Sequence, residues 1–121
     1  MTNRQVHLVV WQEGSHHLAV DARGIGGLQS CTGQNVAADA CIAGLLPGLP
    51  RQPLYRISWQ QQGRTCTLDI GSEPHHLMLP AHALWPLPPT LLHARRTPAL
   101  QALAWYRDRP LLILDKRVLC R

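Results

Sequence analysis

A mainly β fold with one or two short helices is what this sequence predicts. Two observations carry that reading. A strand–turn–strand pattern occurs three times along the chain, and ten prolines, four separate tryptophans and no phenylalanine mark a chain of corners with no room for long helices. The 121 residues suffice for one domain with a real apolar core and are too few for two independent ones, so residues 1–121 are read as a single domain. Apolar residues make up 45% and charged residues 16%, which separates the chain from polar, charge-rich disordered sequences.

The first copy of the pattern runs from Val6 to Ala22. Val6, Leu8 and Val10 alternate with His7, Val9 and Trp11, then Gln12-Glu13-Gly14-Ser15 breaks the run before Leu18, Val20 and Ala22 resume it. Apolar residues at both parities predict a hairpin buried on both faces. The stretch from Asn35 to Leu46 starts as a strand and ends as a short helix, stopped by Pro47 and Gly48. In the second copy Tyr55, Ile57 and Trp59 share one face, and Arg56, Ser58 and Gln60 the other. Gln61-Gln62-Gly63 turns the chain, and Cys66, Leu68 and Ile70 alternate with Thr65, Thr67 and Asp69, the period of a half-solvated antiparallel strand. The proline-rich corner Leu84-Trp85-Pro86-Leu87-Pro88-Pro89 drives its backbone toward extended geometry and reads as a connector. The third copy runs from Leu100 to Tyr106, turns at Arg107-Asp108-Arg109-Pro110 and returns as Leu111-Leu112-Ile113-Leu114. Its apolar run is continuous, so both faces are expected to be covered. Asp115 is placed to cap a short final helix, Lys116 to Cys120. Three hairpins favour a barrel-like or sandwich-like body.

A formal charge of +5, from eleven arginines and one lysine against seven acids, admits nucleic acid or an acidic protein surface as partner. The arginines are dispersed, with only Arg95 and Arg96 adjacent, whereas a phosphate-tracking surface clusters its cations. A small β-barrel that binds nucleic acid is therefore the alternative reading. No apolar run approaches the roughly 20 residues that span a bilayer, and the N-terminal MTNRQVHLVVW lacks the parts of a signal peptide. The expectation is a cytoplasmic chain without membrane insertion. Cys31, Cys41, Cys66 and Cys120, which include no CxxC pair, are then expected as reduced, mostly buried residues.

Candidate chemistry is sparse. Arg23-Gly24-Ile25-Gly26-Gly27 lacks the third glycine and the βαβ setting of a dinucleotide fingerprint, and reads as a kinked strand end. The pairs His16-His17 and His75-His76 suggest metal, but neighbours on a strand point to opposite faces, so one member of each pair would have to meet across the fold. Of the acids, Glu13, Glu73 and Asp108 fall in turns, and Asp69 falls on the solvent face of the second hairpin. No GxSxG elbow is present. The chain is read as no enzyme, with no cofactor and no metal. Trp59 and Trp105 lie in strands and are read as core, and Trp11 as covering a sheet face. Trp85, flanked by Leu84 and Pro86, is read first as packing against the domain itself and second as a contact anchor; with Leu87 it forms the candidate partner-binding pair to test.

In order, these segments resemble the CheW-like domain, the coupling module of bacterial chemotaxis. Val6 to Ala22 resembles that family's opening hairpin, Asn35 to Pro50 its strand-to-helix segment, and Leu54 to Ile70 its central hairpin. Ala104-Trp105-Tyr106-Arg107-Asp108-Arg109-Pro110-Leu111-Leu112-Ile113-Leu114-Asp115 is similar to its closing strand pair, the best single match. Between Gln29 and Asn35 the family's glycine- and arginine-marked stretch has no counterpart, so the chain reads as a shortened, divergent member. The resemblance implies two small β-barrel subdomains sharing a core. It also implies a non-catalytic adaptor that docks the regulatory domain of a histidine kinase, a chemoreceptor or related sensor, or both. It carries over no individual contact residue.

Overall fold

The computed structural model describes residues 4–31, 53–88 and 99–119, together with the backbone of 40–41. Strands β1 (Gln5–Glu13), β2 (His16–Asp21), β3 (Ile25–Ser30), β4 (Ala40–Cys41), β5 (Tyr55–Gln61), β6 (Arg64–Ile70), β7 (His75–Pro80), β8 (Trp85–Pro86), β9 (Leu100–Tyr106) and β10 (Arg109–Leu114) account for most of these residues. A 3-10 turn at Ala81–Ala83 and a short helix α1 (Lys116–Leu119) complete them. The expected helix between Asn35 and Leu46 lies outside the described residues, apart from the two that form β4.

Two-residue turns set the three hairpins, at Gly14–Ser15, Gln62–Gly63 and Arg107–Asp108. Gln62 and Gly63 are both left-handed, as are Arg107 (φ 52°) and Asp108 (φ 60°), the geometry whose twist matches the flanking strands. The hairpins assemble into two sheets, one of six strands in the order β7-β1-β2-β10-β9-β8 and one of four in the order β3-β5-β6-β4. Pairing is antiparallel except between β2 and β10 and between β4 and β6.

The alternation of side chains then divides the apolar residues between two cores. Leu8, Val10, Ala19, Ala102, Ala104, Leu111 and Ile113 point to one side of the six-stranded sheet, joined by Leu77 and Leu79 from β7 and by Leu84. Five strands of one sheet contribute to that core, so the sheet curls around it as a half-barrel. Val9, Trp11, Leu18, Val20 and Leu114 point to the other side and meet Ile57, Trp59, Cys66, Leu68 and Ile70 of the four-stranded sheet. Strands β1, β2 and β10 thus face both cores, which is why the first hairpin is apolar at both parities. The fold is the mainly β architecture expected, a half-barrel sheet with a second sheet packed against its strands β1, β2 and β10.

Several sequence expectations need correction. Asp69 is not on a solvent face: it is buried (8% exposed) and opposite Arg56, whose Nε and Nη2 donate to its Oδ1 and Oδ2 at 2.7 and 3.2 Å. Cys66, with no exposed surface, is disulfide-bonded, at odds with the reduced thiol expected in a cytoplasmic chain; the Cys31 thiol donates to Asp69 Oδ1 at 3.6 Å. Glu13 is also buried, and its carboxylate accepts the Gly71 N–H, fastening the β6–β7 connection to the end of β1. Strands β3 and β7 have no counterpart in the predicted pattern. No helix among the described residues is long and apolar enough to cross a membrane.

Candidate functional site

The edge of the six-stranded sheet beyond β10 leaves two tryptophans open, while Leu28, Leu54 and Met78 are exposed elsewhere among the described residues. Strand β8 opposes only Leu103 and Ala102 of β9, with Trp85 across from Leu103, and the Leu87 N–H extends the pairing by donating to the Gln101 carbonyl at 3.2 Å. Residues opposite each other share a face, as do residues two apart on a strand. Trp85, Leu87, Leu103 and Trp105 therefore stand on one side of the β8–β9 edge. Trp85 is 66% exposed and Trp105 68%, while Leu87 is half-buried.

The exposure of Trp105 corrects its reading as core and the expectation that the third hairpin is covered on both faces. On β9 the small residues Ala102 and Ala104 point into the half-barrel, with Tyr106 packed at its end; Gln101 and Trp105 point out. The second sheet covers β1, β2 and β10 and stops there, since its shared core takes nothing from β8 and only half-buried Leu100 from the strand part of β9. Trp11 and Trp59, by contrast, are 1% and 3% exposed and belong to that core.

At one end of the same sheet three connections come together: the β1–β2 turn, the β6–β7 connection and the β9–β10 turn. The antiparallel register of β7 on β1 and the parallel register of β10 on β2 enforce this. One histidine of each sequence pair meets there, around Tyr106. His75 Nε2 lies 3.0 Å from the Tyr106 hydroxyl, and His17 packs edge-on at 5.5 Å between ring centroids. Desolvation, followed by the positive charges of Arg109, Arg107 and His75, lowers the pKa of His17 from its ordinary value. No cluster of three or more metal-ligating His, Cys, Asp or Glu exists among the described residues.

The opposite end holds a cleft of about 590 Å³ between the sheets, lined by Asp21, Arg23, Trp59, Gln101, Lys116 and Arg117, among others. Its charges are spent internally in two matching turns. The Arg23 and Arg117 N–H groups donate to Asp21 and Asp115 Oδ1, and their guanidinium groups return to the same carboxylates. Partial burial pushes both carboxyls up, but these hydrogen bonds and charges hold Asp21 and Asp115 below the usual carboxylate range. Asp115 thereby caps α1, as its position before Lys116 predicts. Lys116 Nζ donates to the Arg23 carbonyl and ties the two turns together.

A half-barrel sheet that packs three of its strands against a second sheet, and closes on a C-terminal hairpin and short helix, belongs to the CheW-like class of folds. The crystal structure of the scaffolding protein TtCheW from Thermoanaerobacter tengcongensis is similar at a TM-score of 0.62 and 12% sequence identity, over 92% of this chain and 89% of that one. At that identity the likeness establishes the fold. No family model matches the chain, and no curated protein does.

Proposed function

We propose that this chain is a non-catalytic adaptor of a chemotaxis-like signalling pathway, acting as one domain over residues 1–121. It docks the regulatory domain of a histidine kinase, a chemoreceptor or related sensor, or both. The observation that carries the reading is the β8–β9 edge, where two tryptophans on one side of a sheet leave about two thirds of their surface in water. Large rigid rings held open on a sheet edge are what interface hot spots are made of, and the proline-held backbone of Trp85-Pro86 limits the ordering cost of binding. Trp85, Leu87 and Trp105 are the contact residues of this reading. The likeness to a scaffolding protein supports a docking role. In the cytoplasm, full burial would shield the Cys66 disulfide from thiol exchange.

The test is a titration of the purified protein against the regulatory domain of its host's chemotaxis-type kinase, at low and moderate salt. Saturable, salt-tolerant binding at micromolar Kd or tighter, roughly −8 kcal/mol, is expected. Absence of binding at high micromolar concentration by a folded sample would refute the kinase-docking assignment.

A further inference from the structure

Arg23, Arg56 and Arg117 each spend their charge on an aspartate of the chain, Asp21, Asp69 and Asp115 respectively. Arg107 and Arg109 do not. The Arg107 guanidinium lies over the Tyr106 ring, 5.1 Å from its centroid, and Arg109 Nη1 donates to the Ser15 carbonyl at 3.4 Å. Neither has a carboxylate in ion-pair range among the described residues, although Asp108 stands between them in the chain. Tyr106 is itself fixed by the His75 hydrogen bond and the edge of His17. Both cations are therefore positioned by uncharged groups, which orient a guanidinium without neutralising it. An oriented, uncompensated guanidinium is a ready partner for a carboxylate.

We propose that the turn-bearing end of the six-stranded sheet, centred on Arg107 and Arg109, is a second docking surface that takes an acidic protein segment presenting several Asp or Glu carboxylates. The proposal rests on the docking function above and supplies what an adaptor requires, a surface distinct from the tryptophan face. One feature favours an acidic protein over nucleic acid. Tyr106 is half-buried, with His17 at its edge and Arg107 over its face, and so is already engaged where a base would stack.

The experiment measures binding of a fluorescein-labelled glutamate-rich peptide, its glutamine counterpart and a single-stranded oligonucleotide of matched charge. The protein is compared with the R107A/R109A variant and with R4A/R64A. The latter removes the same charge at exposed positions far from this turn: Arg4 precedes β1, and Arg64 follows the turn after Gln61, whose side chain reaches the Arg117 carbonyl. The glutamate peptide is expected to bind, the R107A/R109A variant to lose about tenfold or more in affinity, and R4A/R64A to stay within about twofold. Equal losses in the two variants, or an oligonucleotide that binds more tightly and displaces the peptide, would overturn the proposal. Near-UV circular dichroism verifies that both variants are folded. Failure of the adaptor reading itself shows separately, as wild-type protein that does not bind the kinase domain.

Discussion

Replacing Trp85 or Trp105 by alanine should separate binding from folding. A tryptophan presents up to about 250 Å² of surface. At 66% exposure Trp85 leaves roughly 165 Å² open, and Trp105 at 68% slightly more. Burying that area against a partner at about 25 cal/mol per Å² gives an upper limit near 4 kcal/mol per ring. Lost rigid-body freedom and imperfect desolvation take a share of it, so a cost of about 2 kcal/mol, roughly 30-fold in Kd, is expected for each substitution. Folding stability should move by about 0.5 kcal/mol or less, because the removed surface is already in water in the free protein. Trp11→Ala is the counterpart: at 1% exposure the same truncation empties the shared core and should cost about 3–5 kcal/mol of stability. The assay pairs calorimetric titration of the kinase regulatory domain with urea denaturation of each variant. An unchanged Kd for Trp85→Ala and Trp105→Ala in folded protein would remove this face from the docking function. A stability loss of core size in either variant would instead mean that the ring packs inside.

The buried polar contacts give three further expectations. Asp69→Asn leaves the Arg56 guanidinium buried opposite a neutral group and should cost about 3 kcal/mol in denaturant midpoints, whereas a neutral effect would mean that Arg56 finds an equal partner elsewhere. Burial raises the pKa of Glu13, against the opposing pulls of the Gly71 N–H and the Trp11 indole, so the folded state holds its proton longer than the unfolded chain does. Stability from this site therefore falls as pH rises through and above the ordinary Glu range of about 4 to 5; Glu13→Gln should flatten the stability profile there, and a retained slope would assign it to another group. Gly71→Ala places a Cβ 2.5 Å from Glu13 Oε2 and forces the carboxylate off the Gly71 N–H, a loss of about 1–2 kcal/mol that should vanish in a Glu13→Ala background if the clash is its cause.

The parts of the fold legible in the sequence were those where one strand's own alternation decides its environment. The Tyr55–Gln61 and Arg64–Ile70 pair shows this, with Ile57, Trp59, Cys66 and Leu68 inward and a two-residue turn between. Strand β3 was hidden because Gly26 and Gly27 break its apolar pattern, and Gly27 lies so close to Ser58 that an added Cβ would meet its Oγ at 2.5 Å. Strand β7 was hidden because His75 and His76 open a short edge strand. Trp105 misled for a different reason. A continuous apolar run says that both parities are apolar, but whether a second layer lies over each is a property of the neighbouring sheet, and the four-stranded sheet ends short of β9. The alternation of Ala102 and Ala104 with larger residues was the available signal, since small residues inside a curled sheet leave the bulky parity outside. The extended backbone that leaves Trp85 exposed was legible through the prolines around it. The convergence of His17, His75 and Tyr106 depends on pairings made by three strands and has no local signature.

That convergence also explains how one hairpin can serve two surfaces. Adjacent residues on a strand point to opposite faces, so Trp105 faces outward from the β8–β9 edge while Tyr106 packs against the half-barrel core. A partner on the tryptophan face and an acidic segment at the arginine turn would approach β9 from different directions. The β9–β10 hairpin that carries both is anchored by parallel pairing of β10 to β2, a strand buried between the two cores. Close packing on both sides leaves that frame little freedom to deform, whereas its outer strand and turn remain open to partners. Burial therefore accumulates on β1, β2 and β10, where it fixes geometry, and the large aromatic and cationic groups are left at the hairpin's margin, where a rigid body can present them.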